Sequence, residues 1–374
     1  MERVDRKTGD FTLIVILFLL VGFGIAVLFS ASYAHAERLG KDPHHFFYKQ
    51  IIWVGLGTLA CFVASCTPLE LFRKAVPLLL LLSAVLLLLT FFPQIGQPIM
   101  GARRWIFFFG ISFQPSELVK VTLLLYLATI LSKKENQIDD PINTILPPLI
   151  VVSLFVALIL VQNDFSTALF IFFMALLIFY IARIKFVYFI LLISIVLPLG
   201  IILLFTKEHR VQRLMSYIDP GRDPAGAGFQ VIQAKLALIN GGFWGRGLGM
   251  GTKKLGALPE AHSDFIFAVA GEELGFLGIL FILLLFCFFA YRGYVIAIRS
   301  KDSFNYFLAF GITTTIVIQA LLNMAVVAGL VPATGIPLPF FSSGGSSLLI
   351  SFIMSGLLIN LSRQIEDTGR LSNG

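Results

Sequence analysis

Ten stretches of mostly apolar residues recur along the 374-residue chain, and each is close to the length needed to cross a bilayer. A spanning helix needs about 20 such residues. Within lipid a backbone must bond to itself, so runs of this kind are read as helices. They fall near residues 11–34, 50–68, 75–93, 115–132, 143–162, 165–183, 186–206, 264–291, 304–331 and 343–362. Composition agrees: only 13% of residues are charged and 38 are Phe, where a soluble domain carries roughly 25% charged residues. The expected fold is therefore all-α: a polytopic membrane protein with about ten transmembrane helices. Very short turns, at Asp164 and at Arg183–Lys185, separate two adjacent pairs of spans.

Lysine and arginine set the orientation, because they accumulate in short cytoplasmic loops. With the N-terminus inside, the inner segments hold Arg3, Arg6, Lys7, Arg73, Lys74, Lys133, Lys134, Arg183, Lys185, Arg292, Arg299, Lys301, Arg363 and Arg370. The short outer loops hold Arg38, Lys41, Lys49, Arg103 and Arg104. The asymmetry predicts N-in and C-in. It also places a large extracytoplasmic loop, 207–263, between the seventh and eighth spans. Residues 11–34 are apolar for longer than a cleaved leader and read as the first span.

Residues 1–374 read as a single transmembrane domain without an internal repeat or a soluble domain. Cys61, Cys66 and Cys287 show neither a disulfide framework nor metal-ligand spacing. The net charge of +7 is spread over loops on both faces, so it does not point to nucleic acid. Glycine, proline and unusual sequence concentrate on the outer face: in 94–114, at 162–164, in 207–263 and in 329–345. Loops on a rigid scaffold commonly carry function.

The long loop has its own pattern. Val211, Leu214, Met215 and Ile218 recur at helical spacing with Arg210, Gln212 and Arg213 between them, which predicts an amphipathic helix at the membrane interface. Asp219-Pro220-Gly221 breaks it, and a second helix from Phe229 to Asn240 stops at Gly241-Gly242. Eight cations (among them Arg222) face four anions (among them Asp223) in 207–263. That excess suits anionic headgroups of the surrounding membrane lipid, or a ligand such as a lipid-linked phosphate.

Several residues could carry chemistry. Asp264 enters an apolar helix, where an aspartate first reads as an N-cap. Glu260 and His262 nearby add a catalytic reading. Glu117 and Lys120 share a helix face at i, i+3 in the fourth span. Ionisable groups at membrane depth point to function, and the pair predicts a wet cavity opening outward; a self-neutralising structural pair is the alternative. Arg103 and Arg104 suit a phosphate. Trp105 suits a sugar face or the interfacial belt. Lys235 and Arg246 add cations in the long loop. The segment 337–347 cannot be a regular helix; Ser342, Ser343 and Gly344 offer hydroxyls and close amides for a phosphate or sugar, or form a plain re-entrant turn. Glu272 and Glu273, at different angles on the eighth span, read as buried structural carboxylates that cannot both join the site of Asp264. Asp164 reads as the cap of the sixth span.

The segments GARRW (101–105), QPSELVK (114–120), QNDFSTA (162–168), 241–278 from GGFWGRG through LPEAHSDFIFA to GEELGFLG, and TGIPLPFFSSGGSS (334–347) together resemble the SEDS family of bacterial cell-wall polymerases. The resemblance runs through nearly the whole chain in order. LPEAHSDFIFA and GARRW are more similar to the division branch than to the elongation branch. Ser343 and Asn163 depart from the usual pattern. The resemblance implies a peptidoglycan glycosyltransferase in the bacterial cytoplasmic membrane that joins lipid II units, with a class B penicillin-binding protein docked through its own span and other divisome proteins as partners. The family's essential aspartate matches Asp264, and its helix-four ion pair matches Glu117 and Lys120.

The chemistry fits these residues. An acceptor sugar hydroxyl needs a general base, whereas a diphosphate leaving group needs its charge met rather than protonation. The expectation is Asp264 as base, with Arg103, Arg104, Lys120, Lys235 and Arg246 as cations around the diphosphate. A helix terminus would lower the Asp264 pKa and weaken it as a base. A divalent cation (Mg or Mn) could share the diphosphate charge, although no motif demands one. A lipid II flippase is the main alternative; it predicts important charges at mid-membrane and on the inner side, which are sparse here. A scaffold without chemistry leaves Glu117, Lys120 and Asp264 unexplained.

Overall fold

The computed structural model describes residues 9–38, 40–99, 102–108, 111–135, 141–219, 221, 226–255, 258 and 260–371. Gly101, Pro220, Arg222, Asp223 and Pro259 of the motifs above lie outside the described residues, as do Arg3, Arg6 and Lys7.

The helices are α1 (Phe11–Arg38), α2 (His45–Cys66), α3 (Leu69–Leu89), α4 (Pro115–Lys133), α5 (Pro141–Thr144), α6 (Leu146–Val161), α7 (Phe165–Ile181), α8 (Phe186–Phe205), α9 (Glu208–Ile218), α10 (Ala227–Gly241), α11 (Ile266–Arg299), α12 (Ser303–Val327) and α13 (Gly345–Leu371). Eight of them, α1–α4, α8 and α11–α13, are long and apolar enough to cross a membrane. The other two expected spans are the shorter α6 and α7, of 16 and 17 residues. Left-handed turns cut these two, with Asn163 at φ 65° and Arg183 at φ 60°.

The sequence reading did not foresee one departure from helix. A three-stranded antiparallel sheet, β1 (Gly96–Ile99), β2 (Ala102–Phe108) and β3 (Ile111–Phe113), precedes α4. It is rich in Ile, Phe and Trp, as strands are.

Helices α4, α12 and α13 form the interior, with α2 against α13, α11 against α12 and α1, and α3 against α4. Helix α8 is peripheral and fully buries only Phe189. Its exposed Ile and Leu side chains belong against lipid rather than water. Helix α11 is kinked at Gly275 (φ 67°), where the loop backbone at Trp244 and Gly245 presses so close that a Cβ would collide with it.

At the ends of the helices opposite the sheet, charges neutralise one another. Arg292 binds Asp10 at 2.5 Å, and Arg73 binds Asp302 at 2.5 Å while lying over the Phe304 ring.

Candidate active site

Residues 334–344 form a strap between α12 and α13, held by buried polar side chains. Gln319 Nε2 donates to the Pro337 carbonyl (3.0 Å), and Asn323 Nδ2 donates to the Ile336 carbonyl (2.9 Å). Ser342 Oγ donates to the Ser263 carbonyl (2.7 Å) and accepts from Leu338 N (2.9 Å). Its own carbonyl accepts from Gln50 Nε2 (3.3 Å). Ser343 N donates to the His262 carbonyl (3.0 Å), and Gly344 N to the Ser342 carbonyl (2.8 Å). Ser342 therefore spends its hydroxyl on the fold, while Ser343 and Gly344 stay partly exposed. The strap takes an unusual backbone, with Phe340 at φ 68°. A Cβ on Gly345 would collide with the Trp53 ring, so only glycine admits this approach.

The strap is tied to 262–264, and Asp264 lies at its edge. Helix α11 begins only at Ile266 with Phe265 as its cap, so Asp264 is not the N-cap that its position suggests. Among the described residues its carboxylate accepts no hydrogen bond, and Oδ2 faces Gly335, where a Cβ would lie 3.5 Å away. The Asp264 pKa is raised to about 6, first by loss of water and next by the Glu260 carboxylate; Arg104 and Arg213 pull it down, and Asp164 adds a smaller push upward. The expected lowering by a helix terminus is thus reversed, because the residue stands outside the helix and burial penalises its charged form. Glu260 in turn accepts from Ser263 Oγ at 2.6 Å. His262 is buried with its ring against Phe46.

A cavity of about 610 Å³ is lined among others by Thr334 and Ile336, which flank the Gly335 that faces the Asp264 carboxylate; Asp264 itself stands behind this lining rather than in it. Its walls are apolar residues of α7, α8 and α12, such as Phe170, Phe173, Leu204, Ile318 and Leu322. Arg104, Arg210 and Arg213 stand in its lining with Asp164. Arg210 bonds the Leu203 carbonyl at 2.7 Å and lies over the Phe165 ring. Arg104 faces Asp164 at 3.7 Å. Among the described residues the Nε atoms of Arg104 and Arg210 are buried without a hydrogen-bond partner. Buried donors of this kind are costly unless an anion meets them. Asp164 caps α7 through Thr167 N, as expected, and also accepts from Gln114 Nε2 at 3.1 Å.

The remaining candidates separate. Arg103 and Arg104 are neighbours on β2, and successive strand residues point to opposite faces. Arg104 therefore lines the cavity while Arg103 is exposed, and Trp105 shares the face of Arg103. The expected pair of guanidinium groups on one phosphate does not form.

Glu117 and Lys120 bind each other at 2.7 Å and are buried at 4% and 2% exposure. Lys120 Nζ also donates to Gln319 Oε1 (2.8 Å) and lies 5.5 Å from the Phe170 ring centroid. Neither residue lines the cavity, so the wet cavity expected around them is not what surrounds the pair; Phe170, beside Lys120, is a lining residue. Lys235 is exposed on α10 against Gly329, and Arg246 is exposed with Nε on the Asn240 carbonyl. Neither lines the cavity.

Four contributors were not singled out as site residues by the sequence reading. Arg210 and Arg213 entered the sequence reading as the polar face of α9 and as two of the eight loop cations suited to headgroups or a lipid-linked phosphate, and both stand in the cavity lining. Gln319 and Asn323 are two amides one helical turn apart inside an apolar span, which was the signal available for them. Among the described residues no three of His, Cys, Asp and Glu come together to hold a metal ion.

This arrangement defines a membrane-embedded protein that joins a largely apolar cavity, with three arginines in its lining, to one nearby carboxylate of raised pKa. The profile of the cell cycle protein family that groups FtsW, RodA and SpoVE matches residues 11–367, and the chain belongs to this family. It is 40% identical over 367 residues to a probable peptidoglycan glycosyltransferase FtsW of Geobacter sp. (strain M18), covering 98% of this chain and 99% of that one. Identity to the protein of the same description from Borreliella burgdorferi is 38%, covering 95% and 96%. Identity to stage V sporulation protein E of Bacillus subtilis is 36%, covering 96% and 98%. Among solved structures, a chain from a study of polymerization and crosslinking by a peptidoglycan synthase complex superposes with a TM-score of 0.77 at 28% identity, covering 95% and 98%. The rod shape determining protein RodA of Thermus thermophilus gives 0.68 at 25% identity, covering 95% and 97%.

Proposed function

We propose that the chain is a peptidoglycan glycosyltransferase that polymerises lipid II on the outer face of the cytoplasmic membrane, in septal wall synthesis during cell division. The single observation that carries this reading is the juxtaposition, across Gly335 of the strap, of Asp264 with a cavity whose lining joins apolar side chains to three arginines. A polyprenyl diphosphate sugar has the same division: a lipid tail, a dianionic head and a reacting sugar beyond it. The relatives named as glycosyltransferases along nearly their full length support it.

In this mechanism the 4-hydroxyl of the acceptor GlcNAc attacks the anomeric carbon of the donor MurNAc. The new carbon–oxygen bond forms as the bond to the diphosphate breaks, with inversion. The hydroxyl proton passes to Asp264, and a general base of this kind is worth about 10²–10⁴-fold in rate. Arg104, Arg210 and Arg213 meet the charge growing on the leaving diphosphate, and fixed cations in a dry site act more strongly than in water. A divalent cation, where one takes part, would ride on that diphosphate and add Lewis-acid charge. The termini then lie in the cytoplasm, with the strap and cavity mouth outside. The neighbour drawn from a peptidoglycan synthase complex supports a class B penicillin-binding protein as partner; other divisome proteins and the surrounding lipid complete the setting.

The test is polymerisation of lipid II by purified protein in proteoliposomes with its class B penicillin-binding protein. Wild type is expected to make glycan, and folded Asp264→Ala and Asp264→Asn none. Glycan from either variant removes Asp264 as base. No glycan from wild type, together with lipid II crossing a sealed bilayer, replaces the enzyme by the flippase.

A further inference from the structure

Asn323 lies near the strap end of α12 and is 1% exposed. Its single amide nitrogen makes two donated bonds, to the carbonyl of Asp264 (2.9 Å) and to the carbonyl of Ile336 (2.9 Å). The first acceptor is the backbone of the candidate base. The second belongs to the strap, beside Gly335, which lies against the Asp264 carboxylate. Among the described residues the Asn323 Oδ1 is buried and accepts nothing. The side chain is thus held by the two bonds it donates and by packing, with no acceptor network fixing it otherwise.

One helical turn earlier, Gln319 repeats the device. It bonds the next strap carbonyl, Pro337, and accepts from Lys120, which Glu117 neutralises. The two amides at i, i+4 form a ladder on α12, with the buried ion pair as its lower support and Asp264 at its top.

We propose that Asn323 is a positioning residue for the glycosyl transfer: by bridging the Asp264 and Ile336 carbonyls it fixes the candidate base and the strap in one geometry against the acceptor hydroxyl. This rests on the reading of Asp264 as the base. A backbone carbonyl two bonds from the Asp264 Cβ sets where the carboxylate can point, and misplacement by about 1 Å costs on the order of 10²-fold in rate. A loosened Asp264 also reaches water more readily. Its pKa then falls from about 6 toward the ordinary carboxylate range, because loss of water is the largest cause of its rise.

The experiment measures lipid II polymerisation in proteoliposomes, with the partner transpeptidase, for wild type, Asn323→Leu, Asn323→Gln and Asp264→Asn. Asn323→Leu keeps the buried volume and removes both donors; Asn323→Gln keeps the amide on a longer stem. The expected result is a tenfold or greater fall in kcat for Asn323→Leu at unchanged KM for lipid II. Its acid limb should move to lower pH, its Tm should stay within a few degrees of wild type, and Asn323→Gln should recover part of the loss. A kcat within twofold of wild type overturns the proposal. So does a loss that comes with a lowered Tm, an unmoved acid limb and no recovery in Asn323→Gln, which marks a purely structural amide. Activity in Asp264→Asn would instead overturn the reading of the base, a result distinct from either outcome at Asn323.

Discussion

Three carboxylates lie close together in sequence at the start of α11, and the fold treats them in opposite ways. Glu272 and Glu273 are 0% and 1% exposed, and their oxygens are occupied. Glu272 accepts from Thr252 Oγ1 and Lys253 N, both at 3.0 Å. Glu273 accepts from Gly249 N (3.0 Å), Gly251 N (3.3 Å) and Ser30 Oγ (2.7 Å), and pairs with Lys254 at 2.6 Å. Among the described residues the Asp264 carboxylate has no such partners, and its pKa is raised to about 6. A buried carboxylate whose oxygens are all met by donors is committed to holding the fold. One that lacks donors is poised to accept a proton. The comparison teaches that burial acts differently on a carboxylate according to the donors that meet it. It also shows that Glu272 and Glu273 share one task, clasping loop 249–254, which their different angles on the helix did not foretell.

The largest effect expected from breaking this comparison is at Asp264. Asp264→Asn should lower the rate by about 10²–10⁴-fold with Tm unchanged, read by glycan product and thermal unfolding of the same sample. Glu273→Ala should do the reverse. Removing one partner of a buried pair costs about 3–5 kcal/mol, so yield and Tm should fall while the folded fraction keeps its specific activity. A folded but inactive Glu273→Ala would place Glu273 in the chemistry.

Arg104→Ala sharpens the contrast from the substrate side. A charge-assisted bond is worth about 1.5–3 kcal/mol, so kcat/KM for lipid II should fall by about 10- to about 100-fold. The acid limb should also move to higher pH, because losing a cation raises the Asp264 pKa. Glu260→Gln should move it to lower pH, since an anion that raises the pKa is gone. The smallest effect belongs to Arg103→Ala, expected within about twofold in rate, because an exposed side chain of this kind is worth within about 0.5 kcal/mol.

Much of the fold was legible because lipid imposes a simple rule: long apolar runs such as 186–206 must be helices. The β-sheet was not, since its strands between 96 and 113 are short and are shaped by contacts with Gln162 and Ser346, distant in sequence. Asp264 was legible from its motif and its company. Its electrostatics were not, because they depend on Arg104 and Arg213, which the fold brings in from β2 and α9. The same holds for Arg103: adjacency in sequence suggested a shared ligand, and the pleat of β2 separated it from Arg104.

The most direct test of the central claim is the pH dependence of the single-turnover rate of lipid II polymerisation by the wild-type protein with its partner. A base must be unprotonated to act, so the rate should be full well above the Asp264 pKa and fall as pH drops through about 6. That limb should shift upward in Arg104→Ala and downward in Glu260→Gln. A rate that does not change across this value, or a limb that ignores both substitutions, would contradict the assignment of Asp264 as the general base.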